Sequence, residues 1–111
     1  MKYDLKKPCA QCPYKRDSAP GWTGDYAPED LVTVVQQEQD FPCHTLINYN
    51  DPDWRDNLEE AQQCAGWAVF AANMAKSPRD PEKREFVKRA GRSAECFSFP
   101  PELIEYHSGK T

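Results

Sequence analysis

The stretch KKPCAQCPYKRDSAPGW, residues 6–22, decides how this chain folds, because it carries two cysteines and shows neither helical nor alternating periodicity. Cys9 and Cys12 are two residues apart, a spacing that lets a backbone turn direct both thiolates at one ion. Such an irregular segment needs something to order it. The two cysteines are therefore half of a metal site, a redox dithiol or part of a disulfide framework.

Composition narrows these three interpretations. The chain has 111 residues, of which 39% are apolar and 10 are prolines, so we expect a single domain, 1–111, with an irregular segment 1–27 and a helical body 28–111. No apolar leader or membrane-length apolar run is found, which predicts a soluble cytoplasmic protein without a membrane partner. In a reducing compartment, five cysteines, an odd number, favour metal ligation over disulfides.

Three helices are predicted after residue 27, so the fold class is mainly α. Pro28 suits the first turn of a helix that ends near Asp40. The second and longest helix is predicted over residues 58–77, with Asn57 and Glu60 as its capping signature. One side of this helix is lined by small residues that would allow close approach of another backbone or a cofactor: Ala61, Cys64, Ala65, Ala68, Ala72 and Ala75.

The remaining elements are shorter. A third, more polar helix is predicted to start at Pro81 after an Asp80 cap, to end near Ala90 and to bury the apolar residues of one face. Residues 98–107 add one closing turn, and residues 44–49 are a candidate for a short strand. The sequence thus predicts a small, metal-stapled domain with about three helices and a loop-rich N-terminal segment.

The other cysteines complete the candidate metal site. Cys43 follows the first helix in a loop, and Cys64 lies on the small-residue face of the second, so these two are the best partners for Cys9 and Cys12. His44 is expected to donate a hydrogen bond to a thiolate, or to replace one of the cysteines as a ligand. Cys96 is expected to be a buried hydrophobic residue, and His107 a solvated terminal residue.

The motifs PCAQCPYKRDSAPGW, FPCH and CAGWAVF together resemble those of a family of small, functionally uncharacterised proteins from bacteria and bacteriophages. The resemblance covers about residues 8 to 70. It implies that Cys9, Cys12, Cys43 with His44, and Cys64 form a metal or cluster site, and it implies no activity. If the chain is encoded by a phage, its location is the host cytoplasm.

The identity of the centre is left between two alternatives. Structural zinc is favoured because closed four-cysteine zinc sites commonly fold small domains. A [4Fe–4S] cluster is the alternative, since a close pair followed by two single cysteines is similar in spacing to some uracil-DNA glycosylases and WhiB-like regulators. Lys6, Lys7, Lys15 and Arg16 flank the first pair and suit the negative charge of either centre, or form an ordinary solvated surface.

For function, a non-catalytic module that binds a protein or single-stranded nucleic acid is the favoured hypothesis. The net charge of −4 argues against duplex binding driven by phosphate neutralisation, and no small-molecule site is evident. An iron–sulfur protein for redox sensing or electron transfer is the alternative. A Cys-x2-Cys oxidoreductase fits less well, because the pair neither follows a strand nor opens a helix. Aromatic residues alternate with cations in the candidate partner surface: Tyr14, Lys15, Arg16, Trp22 and Tyr26.

Overall fold

The computed structural model describes residues 2–8, 12–21, 23, 26–43, 50, 52–53 and 61–108. These residues contain four helices, α1 (Pro28–Gln36), α2 (Ala65–Asn73), α3 (Pro81–Ala90) and α4 (Pro100–Ser108). Helix α2 packs against α1 and α3, and α4 packs against α1. The mainly helical fold is confirmed, with one helix more than expected. None of the described helices is both long and apolar enough to cross a bilayer.

Helix α2 is shorter than predicted because the residues before it are extended. Gln62 pairs with Lys2 in a parallel bridge, and Gln63 pairs with Pro42 in an antiparallel bridge. The Cys64 N–H donates to the Phe41 carbonyl at 2.9 Å. These bonds occupy the backbone groups that a helix would use, so the helix predicted through residues 61–64 is wrong. The proposed caps at residues 57 and 60, and the candidate strand at 44–49, lie outside the described residues.

Helices α1 and α2 both end at a residue other than glycine in the left-handed region, namely Glu38 (φ 57°) and Ala75 (φ 59°). At α1, the N–H groups of residues 38 and 39 donate to the carbonyls of residues 35 and 34, which is a Schellman motif, and residues 75 and 76 repeat it at α2. Helix α1 therefore stops at Gln36, short of Asp40, and Ala75 lies beyond α2. The predicted small-residue face loses Ala75 as well as residues 61 and 64.

Helix α3 confirms its prediction. It spans Pro81–Ala90, and the Asp80 carboxylate accepts the Glu82 N–H at 3.0 Å. Phe86 and Val87 are buried against the rest of the core. A proline at the first position and a side-chain cap define this start from local sequence alone.

Helix α4 is a full helix where only one turn was predicted. Two prolines open it, and the Glu102 carboxylate accepts the N–H groups of Ser98 and Phe99 at 3.1 and 3.2 Å. Its buried residues are Leu103 and His107. His107 is only 6% exposed, so the expectation of a solvated side chain is wrong.

The described parts of residues 2–27 contain no helix and lie against the C-terminal part of the chain. Lys15 and Cys96 form an antiparallel bridge, in which the Phe97 N–H donates to the Tyr14 carbonyl at 2.9 Å and the Arg16 N–H to the Glu95 carbonyl at 2.8 Å. We call residues 93–108 the C-terminal clasp. Contacts with the clasp therefore help to order the described part of residues 2–27. The sequence had suggested that only a metal would order this segment.

Candidate metal centre

Two of the four predicted ligands meet in the core. The Sγ atoms of Cys12 and Cys64 are 3.4 Å apart, and the two residues are 1% and 4% exposed. A disulfide would bring the sulfurs to about 2.05 Å, whereas two thiolates on one tetrahedral zinc, with Zn–S bonds of about 2.3 Å, lie about 3.8 Å apart. The observed spacing is therefore near that required for a shared ion.

Cys64 occupies the N-cap position of α2. The backbone N–H groups of Gly66 and Trp67 act to lower the pKa of its thiol, although the side chain forms no capping hydrogen bond. Free N–H groups and the positive end of the helix dipole both favour a negative charge at this position. The hydrogen bond with Cys12 and burial outweigh these local effects, so the pKa of the Cys64 thiol is raised.

The absence of a side chain at Gly66 leaves room for the Cys12 sulfur. A Cβ atom at this position would lie 2.1 Å from Cys12 Sγ and 3.1 Å from Tyr14 Cβ, and the first distance is far inside van der Waals contact. The sequence analysis did not single out this glycine. A glycine in the first turn of an otherwise apolar helix, two residues after a cysteine, is the signal that would have found it.

Cys43 is brought to the same region by the antiparallel pairing of residues 41–43 with 62–64. The Cys43 N–H donates to the Gln62 carbonyl at 2.8 Å, while the Pro42–Gln63 bridge sets the register. In this register Cys43 and Cys64 are diagonal neighbours on one face of the pairing, a relation that corresponds to about 7–8 Å in typical sheet geometry. Cys43 is 4% exposed. We call Cys12, Cys43 and Cys64 the sulfur cluster.

The other predicted members, Cys9 and His44, lie outside the described residues. Across the described ranges, no group of three or more His, Cys, Asp or Glu residues is close enough to hold a metal ion. The structure therefore brings together one pair of predicted ligands, and Cys43 lies diagonal to Cys64 in the adjoining pairing.

The pKa values of Cys64 and Tyr14 indicate that burial disfavours an uncompensated negative charge at the pair. The hydrogen bond with Cys12, followed by burial, raises the pKa of the Cys64 thiol well above its ordinary value. Burial, and then the charges of Cys64 and Cys12, likewise raise the pKa of Tyr14. Two buried thiolates are costly without compensation, and a divalent cation between them supplies it.

The nearby cations are engaged elsewhere. Arg16 Nη1 lies 2.8 Å from Glu102 in the C-terminal clasp, and Lys15 Nζ lies 3.5 Å from Asp17. Lys6 and Lys7 are exposed to solvent.

The predicted partner surface is not continuous. Tyr14 has no exposed area and donates its hydroxyl to the Leu31 carbonyl at 2.6 Å, so its ring belongs to the core. Tyr26 packs against the core at its edge. Lys15 and Arg16 make the ion pairs described above, and Trp22 lies outside the described residues.

His107 holds the backbone at two positions, Pro13 and Gly21, which flank Lys15 and Arg16 in the sequence. Its Nδ1 accepts the Gly21 N–H at 3.1 Å, which leaves the proton on Nε2 to donate to the Pro13 carbonyl at 2.7 Å. The Tyr106 hydroxyl also donates to the Ser18 carbonyl. Nothing local in the sequence signals these contacts, because the partners are far apart along the chain.

Cys96 is fully buried, as expected for a hydrophobic role. Burial is the main cause that raises the pKa of its thiol to about 12. A thiol with this pKa is protonated at neutral pH.

Residues 4–95 match a family of unknown function, DUF6283. The match includes the four predicted ligands and ends just before Cys96, so most of the C-terminal clasp lies beyond it. No curated protein and no solved structure matches the chain.

Proposed function

The chain belongs to the DUF6283 family, whose function is unknown, and we propose that it is a small metal-binding protein in which four cysteines hold one structural zinc ion. The ligands are Cys9, Cys12, Cys43 and Cys64, with His44 beside them. The observation that carries the proposal is the buried approach of Cys12 Sγ to Cys64 Sγ at 3.4 Å.

The short sulfur separation favours a single ion over a cluster. In a four-cysteine cluster each thiolate binds a different iron, so the sulfurs stand much farther apart than those that share one ion. A [4Fe–4S] centre would require Cys12 and Cys64 to separate inside a packed core, where Gly66 and Tyr14 already contact Cys12. Zinc fits the pair with a change of only a few tenths of an ångström by tetrahedral geometry.

Burial supports a structural role over a catalytic one. Each member of the sulfur cluster is at most 4% exposed, whereas a catalytic zinc keeps a position open for water or substrate. The ion would join three parts of the chain, namely the N-terminal segment, residues 41–43 and the start of α2. The protein would then act as a non-catalytic module whose surface binds a protein or a single-stranded nucleic acid.

Cobalt substitution tests the ligand set. Co²⁺ bound to four thiolates gives intense tetrahedral absorption that weakens as thiolates are lost, so each single Ser variant of the four cysteines should reduce it. The matched control is Cys96→Ser, which should give the wild-type spectrum. A spectrum that changes equally in Cys96→Ser and Cys64→Ser would overturn the assignment.

Salt dependence tests the nucleic-acid form of the partner hypothesis. Binding of a fluorescent single-stranded oligonucleotide should weaken steeply between 50 and 200 mM salt if phosphate contacts carry it, by about tenfold or more. Binding that does not respond to salt, or no binding in either condition, would leave a protein as the partner.

A further inference from the structure

We propose that Cys12 and Cys64 form a reversible disulfide when a peroxide oxidises the protein, and that this disulfide releases the zinc ion. The release rests on the proposed function, whereas the formation of the disulfide does not. The sulfur pair is thereby a redox modification site as well as half of a metal site.

The geometry of the pair allows this bond. Closing the sulfurs from 3.4 Å to about 2.05 Å requires a movement of about 1.4 Å, which side-chain rotation and a small backbone shift supply. Cys12 belongs to an irregular segment and Cys64 precedes a helix, so neither sulfur is fixed within a helical turn. Cys64 and Cys12 are also hydrogen-bonded to each other, which keeps the two sulfurs in contact.

The reaction is balanced with hydrogen peroxide as the oxidant. One sulfur attacks the peroxide and becomes a sulfenic acid, with loss of one water. The other sulfur then attacks it, the S–O bond breaks, and a second water leaves as the disulfide forms. Two thiols and one peroxide therefore give one disulfide and two waters. From two zinc-bound thiolates, the same products form with the uptake of two protons from the solvent. A zinc ion left with two thiolates has lost half of its ligands and dissociates.

The burial of the two sulfurs favours a small oxidant over a large one. Exchange with a large disulfide such as oxidised glutathione needs a mixed-disulfide intermediate, and a pair that is 1% and 4% exposed has no space for one. Hydrogen peroxide is the size of two water molecules and enters by small fluctuations. We therefore expect peroxide to oxidise the pair at least tenfold faster than oxidised glutathione does, as an order-of-magnitude consequence of access.

Peptide mapping tests the proposal on the wild-type protein in two states, loaded with zinc and stripped by a chelator. Each state receives one equivalent of hydrogen peroxide, is denatured in iodoacetamide and is digested with trypsin without reduction. The expected product joins peptide 7–15 to peptide 56–76, with both states giving it and the zinc-loaded state releasing one zinc per disulfide. Dithiothreitol should reverse the link and restore zinc binding.

Cys9 lies in the same peptide as Cys12, so fragmentation of the linked peptide between residues 9 and 12 locates the bond in the wild-type protein. The bond should map to Cys12, and Cys96→Ser, the matched control, should give the same link. Sulfinic acid in place of the link, or a link to Cys9, would overturn the pairing. Zinc that stays bound after the link forms would overturn the release. A link that forms in a protein that never binds zinc would support the pairing and contradict the proposed function alone.

Discussion

Cys12 and the residues that follow it, 13–21, are held by different chemistry. Cys12 meets Cys64 in the buried sulfur cluster. In the following residues Arg16 donates to Glu102, Ser98 and the Ala94 carbonyl, and His107 bonds to the backbone of residues 13 and 21. An irregular segment can thus be ordered by polar contacts without an ion.

The two attachments differ in strength. A hydrogen bond contributes about 1 kcal/mol and a partly exposed ion pair about 0.2–1 kcal/mol, so the contacts of the C-terminal clasp sum to a few kcal/mol. A structural zinc in a small peptide contributes about 10–16 kcal/mol of apparent binding free energy. A zinc ion at the sulfur cluster should therefore contribute most of the free energy of folding, and the clasp should contribute a smaller part.

The largest effect is expected from Cys64→Ser. Loss of this ligand should abolish zinc binding and most of the soluble yield, because the ion joins three parts of the chain. Cys96→Ser should keep the full zinc content, since Cys96 lies in the core without a role in the site. Soluble yield and metal analysis of the two variants measure the difference, and equal behaviour would remove the distinction between the two cysteines.

Gly66→Ala should have the next largest effect. The new Cβ would lie 2.1 Å from Cys12 Sγ, so the sulfur must move, with a cost of about 1–3 kcal/mol and reduced zinc affinity. Gly91→Ala is the matched control. Gly91 has a φ of 69° with open space around its Cα, so alanine there costs about 1–3 kcal/mol through the backbone alone. Thermal unfolding and a zinc competition assay should show similar stability losses and different affinities; unchanged affinity in both would contradict the tight fit at Gly66.

His107→Ala should have a smaller effect, confined to stability. It removes the partners of the Gly21 N–H and the Pro13 carbonyl, at a cost of about 2–3 kcal/mol with zinc content unchanged. His107→Gln retains a donor for Pro13 and should recover part of the loss. Urea unfolding measures both variants. Zinc loss from folded His107→Ala would show that the sulfur cluster depends on the clasp.

The smallest effect at neutral pH concerns the protonation of Cys96. Its pKa is raised from 9.0 to about 12 in the folded protein, so the stabilisation is complete below pH 9 and is lost as pH rises toward 12. Cys96→Ala should therefore unfold less steeply in this range than the wild type while matching its pH profile below pH 9. Circular dichroism during alkaline titration tests this, and identical profiles above pH 9 would contradict the buried thiol.

Local signals predicted the elements that local chemistry controls. The Asp80 cap and Pro81 gave the start of α3, and the apolar spacing gave its buried face. The ends of α1 and α2 were missed because Glu38 and Ala75 adopt a conformation that the sequence normally marks with glycine. The first turns predicted before Ala65 were wrong because residues 62 and 63 pair with distant segments.

In the candidate site, too, some residues could be predicted from the local sequence and others could not. Cysteine type and spacing selected Cys12 and Cys64, whose sulfurs the structure places 3.4 Å apart, and Cys43, which the backbone pairing places diagonal to Cys64. The contribution of His107 depends on contacts between residues far apart in the chain, so no local pattern carried it, whereas Gly66 was marked only by its position two residues after Cys64. The prediction of Cys9 and His44 as members of the site stays a prediction.

Metal analysis of the protein as purified tests the central claim most directly. Protein purified without air and without added metal should contain about one zinc per chain and almost no iron when measured by mass spectrometry. About four irons per chain would contradict the single-ion site and place a cluster at the four cysteines. Folded protein with neither metal would show that the sulfur cluster and the clasp hold the segment without an ion.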